Sequence, residues 1–116
     1  MIWLRIMSDP QIAQATVNDL KKALNEHENM ILLDVRSVGE FVRGRIAGSV
    51  NLPLQDVSDG VEQVIPNKNQ KVYVYCLSGS RSAMAVEEMM EKGYTNVFNV
   101  ISGLLAWRAK KYPLVI

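Results

Sequence analysis

The stretch VYVYCLSGSRSAMAV, residues 72–86, decides how the chain is read, and it holds the only cysteine. Residues 71–76 (KVYVYC) alternate β-branched and aromatic side chains, which predicts a strand ending on Cys76. From Ser80 or Ser82 to Lys92, the residues Ala83, Val86 and Met90 share one helical face, and Gly93 supplies a C-terminal stop. Between strand and helix lies a loop in which Gly79 and three small residues (Ser78, Ser80, Ser82) let the chain curl tightly. Several amide N–H groups then face one centre. The helix aims its positive N-terminal end at that centre, and Arg81 adds a full charge if it folds back over the loop. A free thiol titrates near about 8.5, and such surroundings bring it to roughly 3.5–7.5, so Cys76 becomes a thiolate without any histidine as base. The competing reading is a small buried hydrophobe at the end of a core strand. The local pattern leaves both open.

Working outward, MILLDV (30–35) is a continuous apolar run ending on an acid, as in a strand buried on both faces of a parallel sheet. GSVNLPL (48–54) is a brief strand ended by Pro53, and NVFNV (96–100) is another. Thr16 and Asp19 have the spacing of a helix N-terminus, followed by Val17, Leu20 and Leu24 on one face. SVGEFVRGRI (37–46) predicts a short helix stopped by Gly44. Residues 58–65 are read as a further short helix with Val61, Val64 and Ile65 inward, and PNKNQ as a turn. The segment 102–113, SGLLAWRAKKYP, predicts a last helix ended by Pro113. Strands alternating with helices imply an α/β fold of parallel βαβ units with right-handed crossovers. Ligand sites in such sheets lie at the carboxyl ends of the strands, where Cys76 sits.

The chain has 116 residues, 48% apolar and 22% charged, with a formal charge of +1, which suits one soluble globular domain. That charge gives no reason to expect nucleic acid or a membrane surface as partner. No apolar run approaches the roughly 20 residues that span a bilayer. The opening MIWLRIMSDP lacks an h-region with a small-residue cleavage site, so a cytoplasmic location is expected. A single domain over residues 1–116 is expected, with 1–12 an N-terminal extension to which no element is assigned and Met7 an alternative start. One cysteine forms no intramolecular disulfide, in keeping with a reducing compartment. One histidine and one cysteine build no structural zinc site, and no metal is expected. His27, among Asn25, Glu26, Glu28 and Asn29, reads as a solvated helix end rather than a base for Cys76.

With these residues in place, the chain resembles a rhodanese domain almost from end to end. Cys76-Leu77-Ser78-Gly79-Ser80-Arg81 resembles the family's C-x-x-G-x-[RS] active-site signature. LLDVRSVGEFVRGRIAGSVNLP resembles its first signature, matched at Leu33, Asp34, Val35, Arg36, Glu40, Phe41, Gly44, Ile46, Gly48, Asn51, Leu52 and Pro53. VISGLLAWRAKKYPL resembles its closing segment. Two departures stand out: Arg45 replaces the usual His, and Ser102 replaces the first glycine of the closing pair, a substitution expected to require φ below zero. The resemblance implies a central parallel sheet of about five strands with helices on both faces. It also implies sulfur transfer: Cys76 takes sulfane sulfur from thiosulfate or a persulfide, holds it as a persulfide, and passes it to a thiol or to cyanide. This chemistry needs neither metal nor organic cofactor. The implied partners are a small sulfur-containing anion or a protein persulfide as donor and a thiol such as thioredoxin or glutathione as acceptor.

The expected site is therefore Cys76 with the loop Leu77, Ser78, Gly79, Ser80, Arg81 and Ser82, supported by Asp34 and Arg36. Arg81 is expected to hold the loop or the donor anion, the alternative being a first-turn arginine in solvent. Asp34 and Arg36 read either as a site-orienting carboxylate or, preferably, as an ion pair fixing the loop. Glu40 and Phe41 lie near the pocket wall. Trp107 and the methionines 84, 89 and 90 read as core or flank. Two rival functions compete with sulfur transfer. Phosphatases and arsenate reductases of this fold place five residues between Cys and Arg, whereas four separate Cys76 from Arg81, so the ring of amides suits one sulfur atom. A partner-binding module with little catalysis is the other rival, against which the intact loop counts. The loop's Leu77, Ser78 and Ser80, where thiosulfate-adapted members carry cations, lead us to expect weak thiosulfate turnover.

Overall fold

The computed structural model describes residues 11–116; the expected N-terminal extension lies largely outside them. Strand β1 is Ala13–Ala15, β2 Ile31–Asp34, β3 Val50–Asn51, β4 Val72–Tyr75 and β5 Val97–Val100. Helix α1 is Val17–Asn25, α2 Val38–Arg43, α3 Leu54–Val64, α4 Ser80–Glu91 and α5 Gly103–Ala109. The five strands form one sheet in the order β1-β5-β4-β2-β3, every neighbouring pair parallel. The expected parallel α/β sheet is therefore present. β1 has no sequence signal: Ala-Gln-Ala carries no strand pattern and exists as a strand through its pairing with β5.

Alternation along the strands sorts the core into two layers. Leu33, Val35, Val72, Val74, Cys76 and Val97 face Val57 and Val61 of α3 and Ala85, Val86 and Met89 of α4. Leu32, Tyr73, Tyr75 and Val100 face Leu20 and Ala23 of α1 and Leu104 and Trp107 of α5. Fully burying side chains of this size contributes on the order of 1.5–3 kcal/mol each. Trp107 is core, as expected, and its indole N–H donates to Pro113 O at 2.8 Å.

The helix ends follow local chemistry. Thr16 and Asp19 cap α1 reciprocally, the Asp19 N–H donating to Thr16 Oγ1 at 3.1 Å and the Thr16 N–H to Asp19 Oδ2 at 2.8 Å. Ser37 and Glu40 do the same for α2. His27 is exposed and takes the left-handed turn after α1, with φ 52°. Val64 of α3 is exposed rather than inward, the inward row being Val57 and Val61 with Ile65 just beyond. No helix among the described residues is long and apolar enough to cross a membrane.

Candidate active site

β4 is the middle strand, and Cys76 follows directly at its carboxyl end. Its side chain lies on the same sheet face as Val72 and Val74, beneath α4, and is fully buried. Burial alone fits a filler; the polar atoms around the sulfur do not. The Gly79 N–H donates to Cys76 Sγ at 3.1 Å and the Ser82 N–H at 3.4 Å, and Ser82 Oγ lies 3.4 Å away. α4 has no side-chain cap, because its N-cap is Gly79 in the left-handed region at φ 102°. The sulfur takes the cap's place: Ser82, third residue of the helix, gives it the N–H that a capping side chain would normally receive. Burial pushes the Cys76 thiol up. The Ser82 hydroxyl and the N–H groups of Ser82, Gly79 and Ser78 outweigh it, leaving the thiol below its ordinary value.

The loop is held from behind by α5. Leu104 N–H donates to Cys76 O and Leu105 N–H to Leu77 O, each at 3.0 Å. Loop carbonyls thus point to α5 while loop N–H groups face the sulfur. The helix start comes so close that a Cβ on Gly103 would stand 2.2 Å from Cys76 O. Ser102 has φ 59°, which corrects the expectation of φ below zero; its neighbour Gly103, at φ 42°, is the residue whose missing Cβ the contact requires.

The other expected residues divide. Arg81 is neither in solvent nor a free cation at the sulfur. Its guanidinium makes a two-pronged pair with Glu40, Nη1 to Oε1 at 2.7 Å and Nη2 to Oε2 at 3.0 Å. Arg81 and the Ser37 cap together hold the Glu40 carboxyl down at about 2. Asp34 and Arg36 form the buried ion pair favoured from the sequence, with Nη2 to Oδ2 at 2.7 Å. Arg36 Nη2 also donates to Gly44 O at 2.7 Å, so the pair braces residues 34–44 beside β4 rather than touching Cys76. Burial works against the Arg36 charge, and Asp34 overcomes it, raising the guanidinium above its ordinary value. Arg45 stacks its guanidinium 4.6 Å from the Phe41 ring centre and pairs its backbone with Val115. Leu77 is half-buried, while Ser78 and Ser80 are exposed, 3.4 Å apart at their hydroxyls.

Sequence reasoning missed Asn99 and Gln14. Ser82 Oγ donates to Asn99 Oδ1 at 2.5 Å, and Asn99 Nδ2 donates to Gln14 Oε1 at 3.0 Å. The signal was there: within VFNV, Asn99 shares the inward parity of Val97, where an apolar residue belongs.

The Rhodanese-like domain family profile matches residues 16–110. A sulfurtransferase of Allochromatium vinosum is 31% identical over 96 residues, covering 83% of this chain and 88% of its own. A Bacillus subtilis protein is 32% identical over 99 residues, 85% of this chain and 52% of that one, so the chain spans about half of that relative. The crystal structure of a rhodanese-related protein from Thermoplasma volcanium, 30% identical, superposes with a TM-score of 0.78 over 89% of this chain and 97% of its own. With a rhodanese-like fold and relatives of this kind, one of them a sulfurtransferase, the chain belongs to the rhodanese-like domain family.

Proposed function

We propose that this chain carries sulfane sulfur as a persulfide on Cys76, drawing it from a persulfide, polysulfide or protein-bound donor more readily than from thiosulfate. The observation that carries the reading is the sulfur in the place of a helix cap, held by the Gly79 and Ser82 N–H groups. Those donors stabilise a thiolate before transfer and, at the same sulfur, the leaving thiolate when the acceptor departs with the load. In the first step the Cys76 thiolate attacks the outer sulfur of the donor. A Cys76 Sγ–S bond forms, the donor's S–S bond breaks, and the donor's thiolate leaves with the electron pair, or sulfite if the donor is thiosulfate. In the second step an acceptor thiolate attacks the terminal sulfur and Cys76 is released as thiolate; cyanide in that role yields thiocyanate. Electrons balance at each step with no metal and no organic cofactor. The acceptor is a thiol such as thioredoxin or glutathione, and the setting a reducing, cytoplasmic one, in which a lone cysteine has no neighbour to discharge the persulfide as a disulfide.

The donor preference follows from charge. Thiosulfate is a dianion, and the two arginines near the loop are already paired, Arg81 with Glu40 and Arg36 with Asp34. Incubation with glutathione persulfide and, separately, with thiosulfate, followed by mass spectrometry of the intact protein, tests the reading. One added sulfur on wild type, and none on Cys76→Ser, is the expected result. Folded wild type that never gains sulfur, or Cys76→Ser gaining it equally, overturns it. Thiosulfate:cyanide turnover on a par with dedicated thiosulfate enzymes overturns the donor preference.

A further inference from the structure

Asn99 is a buried amide in the core row of β5, directly opposite Gln14 of β1 in the sheet register. Its two ends are both occupied, one by Ser82 Oγ and the other by the Gln14 amide. Ser82 Oγ in turn lies 3.4 Å from Cys76 Sγ. A continuous polar line therefore runs from the exposed sheet edge to the nucleophilic sulfur. Ser82 has only one hydroxyl hydrogen to share among Asn99 Oδ1, the sulfur and Gly79 O, which lies 3.1 Å from its Oγ.

We propose that Gln14, Asn99 and Ser82 form a hydrogen-bonded chain whose direction reverses when Cys76 gives up its proton, making Asn99 and Gln14 positioning residues. The inference rests on the reading of Cys76 as the nucleophile. With a thiol, Sγ–H donates to Ser82 Oγ, the Ser82 hydroxyl donates to Asn99 Oδ1, and Asn99 Nδ2 donates to Gln14 Oε1. With a thiolate, the Ser82 hydroxyl must turn to the sulfur. Its oxygen then faces Asn99 Oδ1 across 2.5 Å with no hydrogen between them, which is repulsive. A half-turn of the Asn99 amide removes the clash, because Nδ2 then donates to Ser82 Oγ. A half-turn of Gln14 completes the line, its Nε2 donating to Asn99 Oδ1. An amide has nearly the same shape either way round, and Gln14 is exposed, so both turns cost little.

The remaining charges around the sulfur are compensated in place. α4 brings Arg81 and α2 its partner Glu40, and β2 with the residues after it brings Asp34 and Arg36 as a second pair. α3 contributes Val57 and Val61 to the same cluster, and α5 contributes backbone N–H groups to the loop carbonyls. Among the described residues, the amide line is a buried polar feature at the sulfur whose direction is free to follow it.

Locking the outer end of the line tests it. Gln14→Glu can only accept, so it holds Asn99 Nδ2 outward and the Ser82 hydroxyl away from the sulfur. Gln14→Lys can only donate and holds the line the other way. Ala13→Glu and Ala13→Lys place the same charges on the same exposed strand, one residue along on its opposite face. The readout is the pH profile of Cys76 alkylation by iodoacetamide, whose midpoint reports the thiolate whatever the access to the sulfur. Gln14→Glu is expected to raise the midpoint by about one pH unit, about tenfold slower alkylation below it, and Gln14→Lys to lower it. Both shifts exceed those of the Ala13 controls and persist in high salt, which screens the bare charge. Gln14 variants that move the midpoint no further than the controls, with native circular dichroism, overturn the proposal. Failure of wild type to load sulfur while these shifts persist overturns the sulfur-carrier reading and leaves the chain standing. Loading without the shifts does the reverse.

Discussion

Ser102 and Gly103 stand side by side before α5 with φ of 59° and 42°, and only the first has room for a side chain. The constraint on Gly103 comes from Cys76 O, which a Cβ would meet at 2.2 Å. Gly103→Ala must push α5 off the loop, losing the Leu104 and Leu105 N–H bonds that turn the loop carbonyls outward. We expect it to cost about 2–3 kcal/mol in urea unfolding, the scale of overpacking a tight contact, and to abolish sulfur loading. Ser102→Gly should instead stabilise by up to about 1 kcal/mol, since a left-handed serine carries strain that glycine lacks. A Gly103→Ala protein as stable and as readily loaded as wild type would show that α5 does not set the loop. The sequence identified Cys76 and its loop because they are contiguous. It misjudged Ser102 because nothing adjacent in the sequence marks the left-handed start of α5, where Gly103 meets Cys76 O of another segment.

At the scale of elements, α4 is rotated from the phase read in the sequence. Its buried residues are Ser82, Ala85, Val86 and Met89, where Ala83, Val86 and Met90 were expected. The rotation has a cause: Ser82 must face Cys76 and Asn99, and a purely apolar count does not see a serine as inward-facing. Arg81 then turns toward α2 and meets Glu40, a partner 41 residues away that no local pattern announces. This pair fixes a pH dependence. Glu40 titrates near 4.5 ordinarily and at about 2 in the folded chain. A carboxylate with a depressed folded value contributes stability that is complete above about 4.5 and lost as pH falls through about 2. Glu40→Gln keeps a side chain able to cap α2 but cannot ionise. Its stability should fall less steeply than that of wild type between those pH values, followed by acid titration of urea midpoints. The same variant leaves the Arg81 charge uncompensated beside the loop. We expect its KM for thiosulfate to drop about threefold relative to that for glutathione persulfide, the scale of one partly exposed charge contact. An unchanged ratio would mean that the Arg81 charge does not bear on donor choice.

The whole molecule is a sheet whose carboxyl edge gathers chemistry from several strands. The alternation of apolar runs with helical patterns made a parallel α/β sheet legible. Strand order was not, since order β1-β5-β4-β2-β3 depends on crossovers and on β1, which has no signal of its own. The carboxyl edge also holds the charge pair of Asp34 and Arg36, both nearly without solvent contact. Around it the chain closes on itself: Arg36 donates to Gly44 O, and Asn51 Nδ2 donates to Asp34 O at 3.0 Å and to Arg36 O at 2.9 Å. The end of β2, the end of α2 and β3 are thereby joined in one polar knot. Arg36→Met strands a buried carboxylate and should cost about 3–5 kcal/mol, read as a lower urea midpoint with an unchanged slope. Asp34→Leu combined with Arg36→Met removes both charges, and should recover much of that loss, because two apolar side chains carry no desolvation penalty. If the double variant is no more stable than Arg36→Met alone, the cost lies in the severed bond to Gly44 O rather than in a stranded charge. The knot would then act as a backbone clamp on residues 34–44, and Arg36→Lys, which lacks the fork needed to hold Asp34 and Gly44 O together, should be nearly as damaging as Arg36→Met.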